Sequence, residues 1–587
     1  MLQFFVLGLG LLIPSSYAQE LTTRLGKIET FDKYATYLVE QTNGVVRPVR
    51  ESHLSFQINH NRDLATPLLP IANPDLVHSL FETDVYKFIQ NLGTSDFVQA
   101  KKKFYGALKY NKLLKSYSRP YVYASDWNSL NHNPIRKFNL PAEVYGSQFV
   151  PLDEKSIAQS PLLEVDLHQK LDEMTQTEMT AGNKLRQLNN GEFSFKEKVR
   201  MVKESKKYFF SVVMVQYCDE SSSEIVDAMI DKARQGVDVR LMVESVWTQA
   251  VLRKCLKRLT NGGVKVELGK GFFNPKTMFT VHHTKFWIRD GVEAIIGGQN
   301  MHDFENSSNG FNGHTRDKDV HVVGPAVTDM LREYVRIWNE NRKKPDLSLA
   351  PYLAIVARME AQERAQGLRG KQLYTRWLSR DVDQIQGVCR VLVQGTKRTS
   401  SPEIISNAYL EVMNRTKYSM LVNTPTLRFR EKKMDKKLNS MIIKAITDGA
   451  RRGVKVDMVS NGPDGGWGEA GHQLRLLGRR LRSNGKIGLA KFFEGLDRVV
   501  GNISGGINAK YLTDMLVHPQ IDSWLYFNHI HAKQMMFDNI LTSTGSFNLD
   551  SHSYKNHEST MFCLDKKLAD ETRVGFISDI VNSIPVR

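Results

Sequence analysis

One short pattern of reactive residues occurs twice in this sequence. In each copy a histidine is followed after one intervening residue by a lysine, and an aspartate comes five positions after that lysine. Two copies of the same three residue types at the same spacing point to a shared site more strongly than either copy alone. The copies are His283, Lys285 and Asp290, and His531, Lys533 and Asp538.

Two imidazoles and two ammonium groups in one cleft would suit a phosphodiester. In an extended segment His283 and Lys285 point to one face while Thr284 points to the other, and the second copy alternates in the same way. One histidine could attack phosphorus to form a phosphohistidine while the other protonates the leaving oxygen, and the lysines would stabilise the non-bridging oxygens. This chemistry needs no metal and no cofactor. The residues alone do not say which histidine attacks.

A turn of small residues follows each motif and ends in an asparagine. We expect the asparagines to bind phosphate oxygens and the small residues to shape the turns. The asparagines are Asn300 and Asn548, and the small residues are Gly298 and Ser546.

An internal repeat indicates the architecture. The segments Ala228–Val243 and Ala445–Ser460 share Ala, Asp, Ala-Arg and Gly-Val in register. Each reads as a helix ending at a glycine, Gly236 or Gly453, with a strand after it and an apolar strand-like run before the helix. The β-α-β order predicts an α/β fold of two pseudo-symmetric sandwich domains, each with a mixed, largely parallel sheet flanked by helices.

The repeat and the motifs divide the chain into five segments. Both motifs lie in one chain, so an oligomer is not required for the site. The predicted segments are a signal peptide at 1–18, an N-terminal accessory region at 19–190, the first motif domain at 191–342, a connector at 343–387 and the second motif domain at 388–587.

The net charge indicates the kind of partner, and the composition excludes some classes of protein. With 80 Lys and Arg against 63 Asp and Glu, the formal net charge is +17, which favours phospholipid headgroups or nucleic acid as partners. The hydrophobic fraction of 41% and charged fraction of 24% exclude a disordered chain and a polytopic membrane protein.

The N-terminal residues resemble an export signal. An apolar run from Phe4 to Ile13 precedes Pro14 and a small-residue site ending at Ala18. The alternative is a buried N-terminal helix, since no Lys or Arg precedes the run. We expect an exported protein, periplasmic or secreted, that associates peripherally with a membrane.

The four cysteines show no metal-ligand spacing. Cys218 and Cys563 lie in or beside apolar runs, so buried free thiols are the favoured prediction, with disulfides left open. The other two cysteines are Cys255 and Cys389.

Two basic stretches could contact an anionic surface. Residues 101–115 interleave lysines with apolar residues at helical spacing, and a loop near Trp467 is followed by a run of arginines. A solvated basic helix and an ordinary surface loop explain these stretches as well.

The paired motifs resemble those of the phospholipase D superfamily, and within it the bacterial cardiolipin synthase-like branch. The likeness covers about residues 185–564 and includes the segments after each motif, 316–325 and 556–558. It implies phospholipase D-type domains and His283 as the nucleophile with His531 as the acid. It also implies that Asp317, with Asp319 as competitor, and Glu558 hydrogen-bond the two histidines, while Asp290 and Asp538 are more structural than chemical.

Three functions remain open at this point. The first is an exported phospholipase D or transphosphatidylase acting on phospholipid headgroups, with cardiolipin as a candidate product. The second is a secreted metal-independent nuclease, and the third is a noncatalytic binder of anionic lipid or nucleic acid. Three further histidines, His282, His314 and His552, are expected at the surface or in ordinary hydrogen bonds.

Overall fold

A computed structural model describes residues 152–586 apart from several internal segments. These segments are 220, 245–249, 270–280, 303–304, 306–314, 380, 396–402, 429–434, 462–486, 489–519, 527–528, 551–552, 555 and 582. The predicted signal peptide, the basic stretch at 101–115, the Trp467 loop with its arginines, His314 and His552 lie outside the described residues. Among the residues described, no helix combines the length and apolar character that a membrane crossing requires.

The first half is built on a seven-stranded sheet with the order β1-β8-β6-β5-β2-β3-β4. The strands up to Val323 are β1 (Lys184–Asn189), β2 (Tyr208–Val213), β3 (Asp238–Glu244), β4 (Lys265–Gly269), β5 (Phe286–Arg289), β6 (Glu293–Gly297), β7 (Thr315–Arg316) and β8 (Lys318–Val323). The α-helices up to Asn341 are α1 (Glu154–Ala158), α2 (Val165–Thr175), α3 (Asn190–Glu204), α4 (Ser223–Arg234), α5 (Ala250–Asn261) and α6 (Ala326–Asn341).

The second half is built on an eight-stranded sheet with the order β19-β13-β12-β10-β15-β16-β18-β9. Its strands are β9 (Val388–Gln394), β10 (Ser419–Asn423), β11 (Leu427–Arg428), β12 (Lys455–Asn461), β13 (Ile521–Tyr526), β14 (His529–Ile530), β15 (Gln534–Phe537), β16 (Leu541–Gly545), β17 (Leu549–Asp550), β18 (Glu558–Leu564) and β19 (Ser583–Val586). The later α-helices are α7 (Ala350–Ala365), α8 (Lys371–Trp377), α9 (Ile404–Arg415), α10 (Asp435–Arg451) and α11 (Lys566–Val581).

The repeat forms the predicted β-α-β unit in both halves. Strand β2 pairs in parallel with β3 across α4, and β10 pairs in parallel with β12 across α10. Gly236 and Gly453 follow the helices with φ of 87° and 96°, a left-handed conformation that glycine adopts without the steric cost of a Cβ. The α/β class with two pseudo-symmetric halves is confirmed.

The sheets contain less parallel pairing than we predicted. Only β2–β3–β4 and β10–β12–β13 pair in parallel among the strands of the two main sheets, and the other pairings there are antiparallel. The cause is that each motif strand turns back at once as a hairpin, β5–β6 and β15–β16. The β-α-β repeat could be predicted from the sequence, but these two hairpins were not predicted.

The predicted boundary at 190/191 needs correction. Strand β1 precedes it and yet pairs with β8 along its whole length, so the first sheet already begins at Lys184. Helices α1 and α2 pack on the core of the second half, where Leu167 and Leu171 join Tyr409 in one apolar cluster. The described part of the accessory region is therefore shared between the two halves.

The two sheets meet through a common core. Apolar side chains of β6 and β8 belong to the same buried cluster as side chains of β9 and β18. Strand β7 of the first half also pairs in parallel with β14 of the second. Packing across this junction fixes the position of one half relative to the other.

The four cysteines form two disulfides, so the favoured prediction of free thiols was wrong. The bonds are Cys218–Cys255 and Cys389–Cys563. Cys389 and Cys563 stand directly opposite each other in the antiparallel pair β9–β18. This register depends on tertiary structure across 174 residues and cannot be read from each cysteine's own surroundings.

Candidate active site

Each motif histidine is anchored to the opposite half of the molecule. The backbone N–H of His283 donates to the carbonyl of His557 at 2.9 Å, and that of His531 donates to the carbonyl of Arg316 at 2.7 Å. The histidines and lysines of the motifs lie just before β5 and β15 and not within these strands. Each motif lysine donates a hydrogen bond to the backbone carbonyl of its own histidine.

The acids that orient the histidines also cross between the halves. His283 Nδ1 lies 2.9 Å from Glu558 Oε2, and His531 Nδ1 lies 2.8 Å from Asp317 Oδ2. An ionised carboxylate can only accept, so the proton sits on Nδ1 and Nε2 is left for chemistry. In each case the acid directly follows the residue whose carbonyl anchors the histidine. The structure thus brings both predicted acids to the predicted histidines.

The competing acid Asp319 serves a different purpose. Its carboxylate accepts from Lys198 Nζ at 2.8 Å and from Ser194 Oγ at 2.5 Å. Lys198 in turn lies 3.6 Å from the centre of the Trp287 ring. Asp319 therefore belongs to a buried ion pair beneath the first motif and does not orient His531.

Burial sets the ionisation of the two histidines. It lowers the pKa of His283, an effect that the neighbouring Glu558 carboxylate opposes and Lys285 reinforces. Burial also lowers the pKa of His531, where Lys533, Lys285 and the His283 ring add to the effect. The His283 ring and both motif lysines therefore disfavour the protonated form of His531.

The lysines form the cationic part of the site. Lys285 Nζ donates to the carbonyl of His283 at 2.7 Å, and Lys533 Nζ donates to that of His531 at 2.5 Å. Burial and the charge of Lys533 lower the pKa of Lys285 to about 7. An ammonium has three donors, so each lysine can also bind an anion. Two crowded ammonium groups favour an anionic ligand over a metal cation at this place.

The small residues of the turns shape the site as expected, but in two different ways. A Cβ on Gly298 would lie 2.5 Å from Asp317 Oδ1, so the absence of a side chain lets this acid approach His531. Ser546 occupies the matching position in the second half, and its Oγ donates to Glu558 Oε2 at 2.5 Å. The shorter acid, Asp317, thus lies against a glycine, and the longer acid, Glu558, accepts a hydrogen bond from a serine.

The two asparagines predicted to bind phosphate have different surroundings. Asn300 is engaged by the protein: its Oδ1 accepts from Val215 N–H at 3.2 Å and its Nδ2 donates to Glu305 at 3.0 Å. These bonds make Asn300 a loop-fixing residue. The Asn548 N–H donates to Ser553 Oγ at 3.1 Å, and among the described residues no donor reaches its buried Oδ1.

The motif aspartates, which we predicted among the catalytic residues, lie at the far ends of the motif strands and bind backbone groups there. Asp290 accepts the backbone N–H groups of residues 206–208, each at 2.8 Å. Asp538 accepts those of residues 417–419 at 2.7–3.0 Å, together with Ser160 Oγ at 2.7 Å. Both tie the far end of the motif strand to the start of its neighbour, in agreement with the structural role that the family resemblance implied.

Sequence reasoning missed Glu305. This buried carboxylate lies 3.5 Å from His531 Nδ1 and 3.4 Å from His302 Nε2, and it also accepts the backbone N–H of Asn300. The spacing held a clue: Glu305 follows Asn300 by five residues, as Ser553 follows Asn548.

His282 takes the bland role expected of it. It is buried, its ring stacks on His557 with centroids 3.8 Å apart, and its Nε2 lies 2.9 Å from Asn341 Nδ2. Because Nδ2 can only donate, His282 Nε2 accepts this bond. The ring helps to hold β18 against the segment that precedes His283.

The chain is similar in sequence to known proteins. The family model described as "Cardiolipin synthase, PLD-like domain" matches residues 199–323 and 409–580. A cardiolipin synthase of Oceanobacillus iheyensis is 22% identical over 426 residues, which cover 71% of this chain and 72% of that protein. The major cardiolipin synthase ClsA of Bacillus subtilis is 21% identical over 417 residues, covering 69% and 70%. Among solved structures, a phosphatidylserine synthase of Haemophilus influenzae Rd KW20 has a TM-score of 0.44 and 12% identity, covering 71% of this chain and 91% of that one.

The matched residues make up about half of the chain and contain both histidines, both lysines and both orienting acids. The chain belongs to the cardiolipin synthase, PLD-like domain family of the phospholipase D superfamily, and it is an enzyme of the phosphodiesterase and phosphatidyltransferase class.

Proposed function

We propose that this protein is a phospholipase D-like phosphodiesterase and transphosphatidylase that acts on phospholipid headgroups through a phosphohistidine. The observation that carries the proposal is the crossed pairing of each histidine with an acid of the other half, around two buried lysines. The relatives described above, which are cardiolipin synthases by name, support a phospholipid over another diester.

In the first half-reaction His283 is the nucleophile. Its Nε2 attacks phosphorus while Glu558 stabilises the positive charge that develops on the ring. The bond from phosphorus to the headgroup oxygen breaks, and this oxygen takes a proton from His531. Lys285 and Lys533 stabilise the charge on the non-bridging oxygens. The products are phosphatidyl-His283 and a free headgroup alcohol.

In the second half-reaction the roles reverse. His531, now neutral, removes a proton from an incoming hydroxyl, whose oxygen attacks phosphorus and releases His283. Water as the acceptor gives phosphatidic acid, and the glycerol hydroxyl of phosphatidylglycerol gives cardiolipin. The route as written uses the chain's own residues for every proton and bond change.

We also propose that the protein is exported and works at a membrane surface from the periplasm or outside the cell. The apolar N-terminal run and the +17 charge support this location. Two disulfides add support, because such bonds persist mainly in oxidising compartments.

The test is incubation of the purified protein, in EDTA, with phosphatidylglycerol vesicles and separately with plasmid and single-stranded DNA. We expect phosphatidic acid or cardiolipin from the vesicles. We expect no product from His283→Ala and an unchanged fold in that variant. Nicked DNA together with unchanged lipid would identify the protein as a nuclease, the alternative that the net positive charge favours. Vesicle binding without any product would identify a noncatalytic binder, and either result would overturn the proposal.

A further inference from the structure

The two halves of the site are unequal in their acidic groups. Beyond its orienting acid at 2.8 Å, His531 has a second carboxylate, Glu305, at 3.5 Å from the same nitrogen. The described residues around His283 provide one carboxylate, that of Glu558. The pseudo-symmetric position of Glu305 is held by Ser553.

Glu305 is buried in the site and held there by hydrogen bonds. It is 4% exposed, and it accepts hydrogen bonds from both the backbone N–H and the side-chain amide of Asn300. Ser553 makes only the first kind of bond, since its Oγ accepts the backbone N–H of Asn548 at 3.1 Å. Closing the turn therefore needs an acceptor but not a charge, and the carboxylate at Glu305 requires another explanation.

We propose that Glu305 is a positioning residue for His531, a second carboxylate that holds this histidine as the proton-carrying member of the pair. This inference rests on the proposed function. A proton donor must be an imidazolium in a site crowded with cations, and a negative charge beside it stabilises that state. The nucleophile His283 works as the neutral ring and needs no such partner.

The charges around His531 come from several segments. Lys533 from its own motif, Lys285 and the His283 ring from the other motif all disfavour its protonation. The carboxylates of Asp317 and Glu305 both lie near His531 Nδ1. Glu305 is held ionised, with its pKa well below the usual range despite burial, by His531, His302 and Asn300. Burial and the charge of Glu305 raise the pKa of Asp317 to about 6.

The test uses Glu305→Ser, which copies the arrangement of the second half, and Glu305→Gln. Both keep an acceptor for the Asn300 N–H and remove the charge. For phosphatidylglycerol, whose leaving alkoxide needs a proton, we expect the alkaline limb of kcat to move down by about one pH unit or more in both variants. The KM should stay within about twofold of wild type, because Glu305 approaches His531 at Nδ1 and not at the Nε2 that faces the chemistry.

An activated diester separates proton supply from folding. The p-nitrophenolate group of bis(p-nitrophenyl) phosphate leaves without a proton, so its first release should survive in Glu305→Ser. Glu363→Gln is the matched control, because it neutralises a buried acid of α7 that bonds Thr328 and Arg369 away from the site. Its pH profile should equal that of wild type.

A titration without substrate keeps this inference separate from the proposed function. NMR of the protein labelled at histidine Cε1, with the His531 signal assigned through His531→Ala, should show a lower pKa for His531 in Glu305→Ser. An unmoved His531 titration, or a loss of kcat equal at every pH, would overturn the inference even if wild type makes cardiolipin. Failure of wild type to cleave any diester would instead overturn the proposed function.

Discussion

Replacing Gly298 with alanine is a small change with a large expected effect. The new Cβ would lie 2.5 Å from Asp317 Oδ1 and 3.1 Å from the carbonyl oxygen of His531. Ordinary van der Waals contact begins at about 3.4 Å, so the acid must move by about 0.9 Å. Moving it along the line of its bond would stretch the 2.8 Å contact with His531 beyond hydrogen-bonding distance.

The size of the effect follows from this displacement. A misplacement of about 1 Å in a catalytic arrangement costs about 100-fold in rate. We therefore expect kcat for phosphatidylglycerol to fall about 100-fold in Gly298→Ala, which equals about 2.7 kcal/mol of transition-state stabilisation. The assay is product formation at saturating lipid, corrected for the folded fraction by thermal melting.

Two further variants decide whether the effect passes through Asp317 and His531. In a His531→Ala background, Gly298→Ala should cost nothing more, because the acid then has no histidine to orient. The double variant Gly298→Ser with Asp317→Glu rebuilds the serine and glutamate of the second half, and it should exceed both single variants in activity. Wild-type kcat in Gly298→Ala, or the same 100-fold loss in the His531→Ala background, would refute the reasoning.

Three other predictions concern the acids and lysines of the site. Glu558→Gln should lower kcat by about 10²- to 10⁴-fold with little change in melting temperature, because a charge that stabilises the reacting His283 ring is lost; a loss under threefold would contradict this. The unliganded Lys285 is charged below its pKa of about 7, so tungstate affinity measured by calorimetry should fall as pH rises through 7, and Lys285→Arg should remove that step; a tungstate affinity that is constant from pH 6 to 8 in wild type would count against it. Asp538→Asn should lower the free energy of unfolding by about 2–4 kcal/mol, because a buried carboxylate with three backbone partners is lost. The kcat per folded molecule should stay near that of wild type. A loss of kcat without destabilisation would show that Asp538 takes part in the reaction.

The reacting groups could be predicted because their residue types and spacing are local properties of the chain. The two histidines and two lysines needed only the repeated motif, and Asp317 and Glu558 needed the family resemblance. The crossed pairing could not be read in this way, because it depends on how β7 meets β14 and how β18 lies against the first half.

The missed features are those that depend on tertiary contacts. The sequence around Glu305 has no periodic pattern, and the role of Glu305 depends on His531, which comes from the other half. The disulfide Cys389–Cys563 depends on strand register, and the strand ends that Asp290 and Asp538 hold are set by sheet order. In each case the partner is far away in sequence, so local pattern carries no information about it.

A covalent phosphohistidine on His283 is the central claim, and His531→Ala with bis(p-nitrophenyl) phosphate tests it directly. This diester loses p-nitrophenolate without an acid, and the variant lacks the base that would activate water for the second step. We predict a burst of one equivalent of p-nitrophenolate and, by mass spectrometry, a p-nitrophenyl phosphate adduct on the His283 peptide. Turnover by the wild type without any adduct on His283 in the variant would contradict the account.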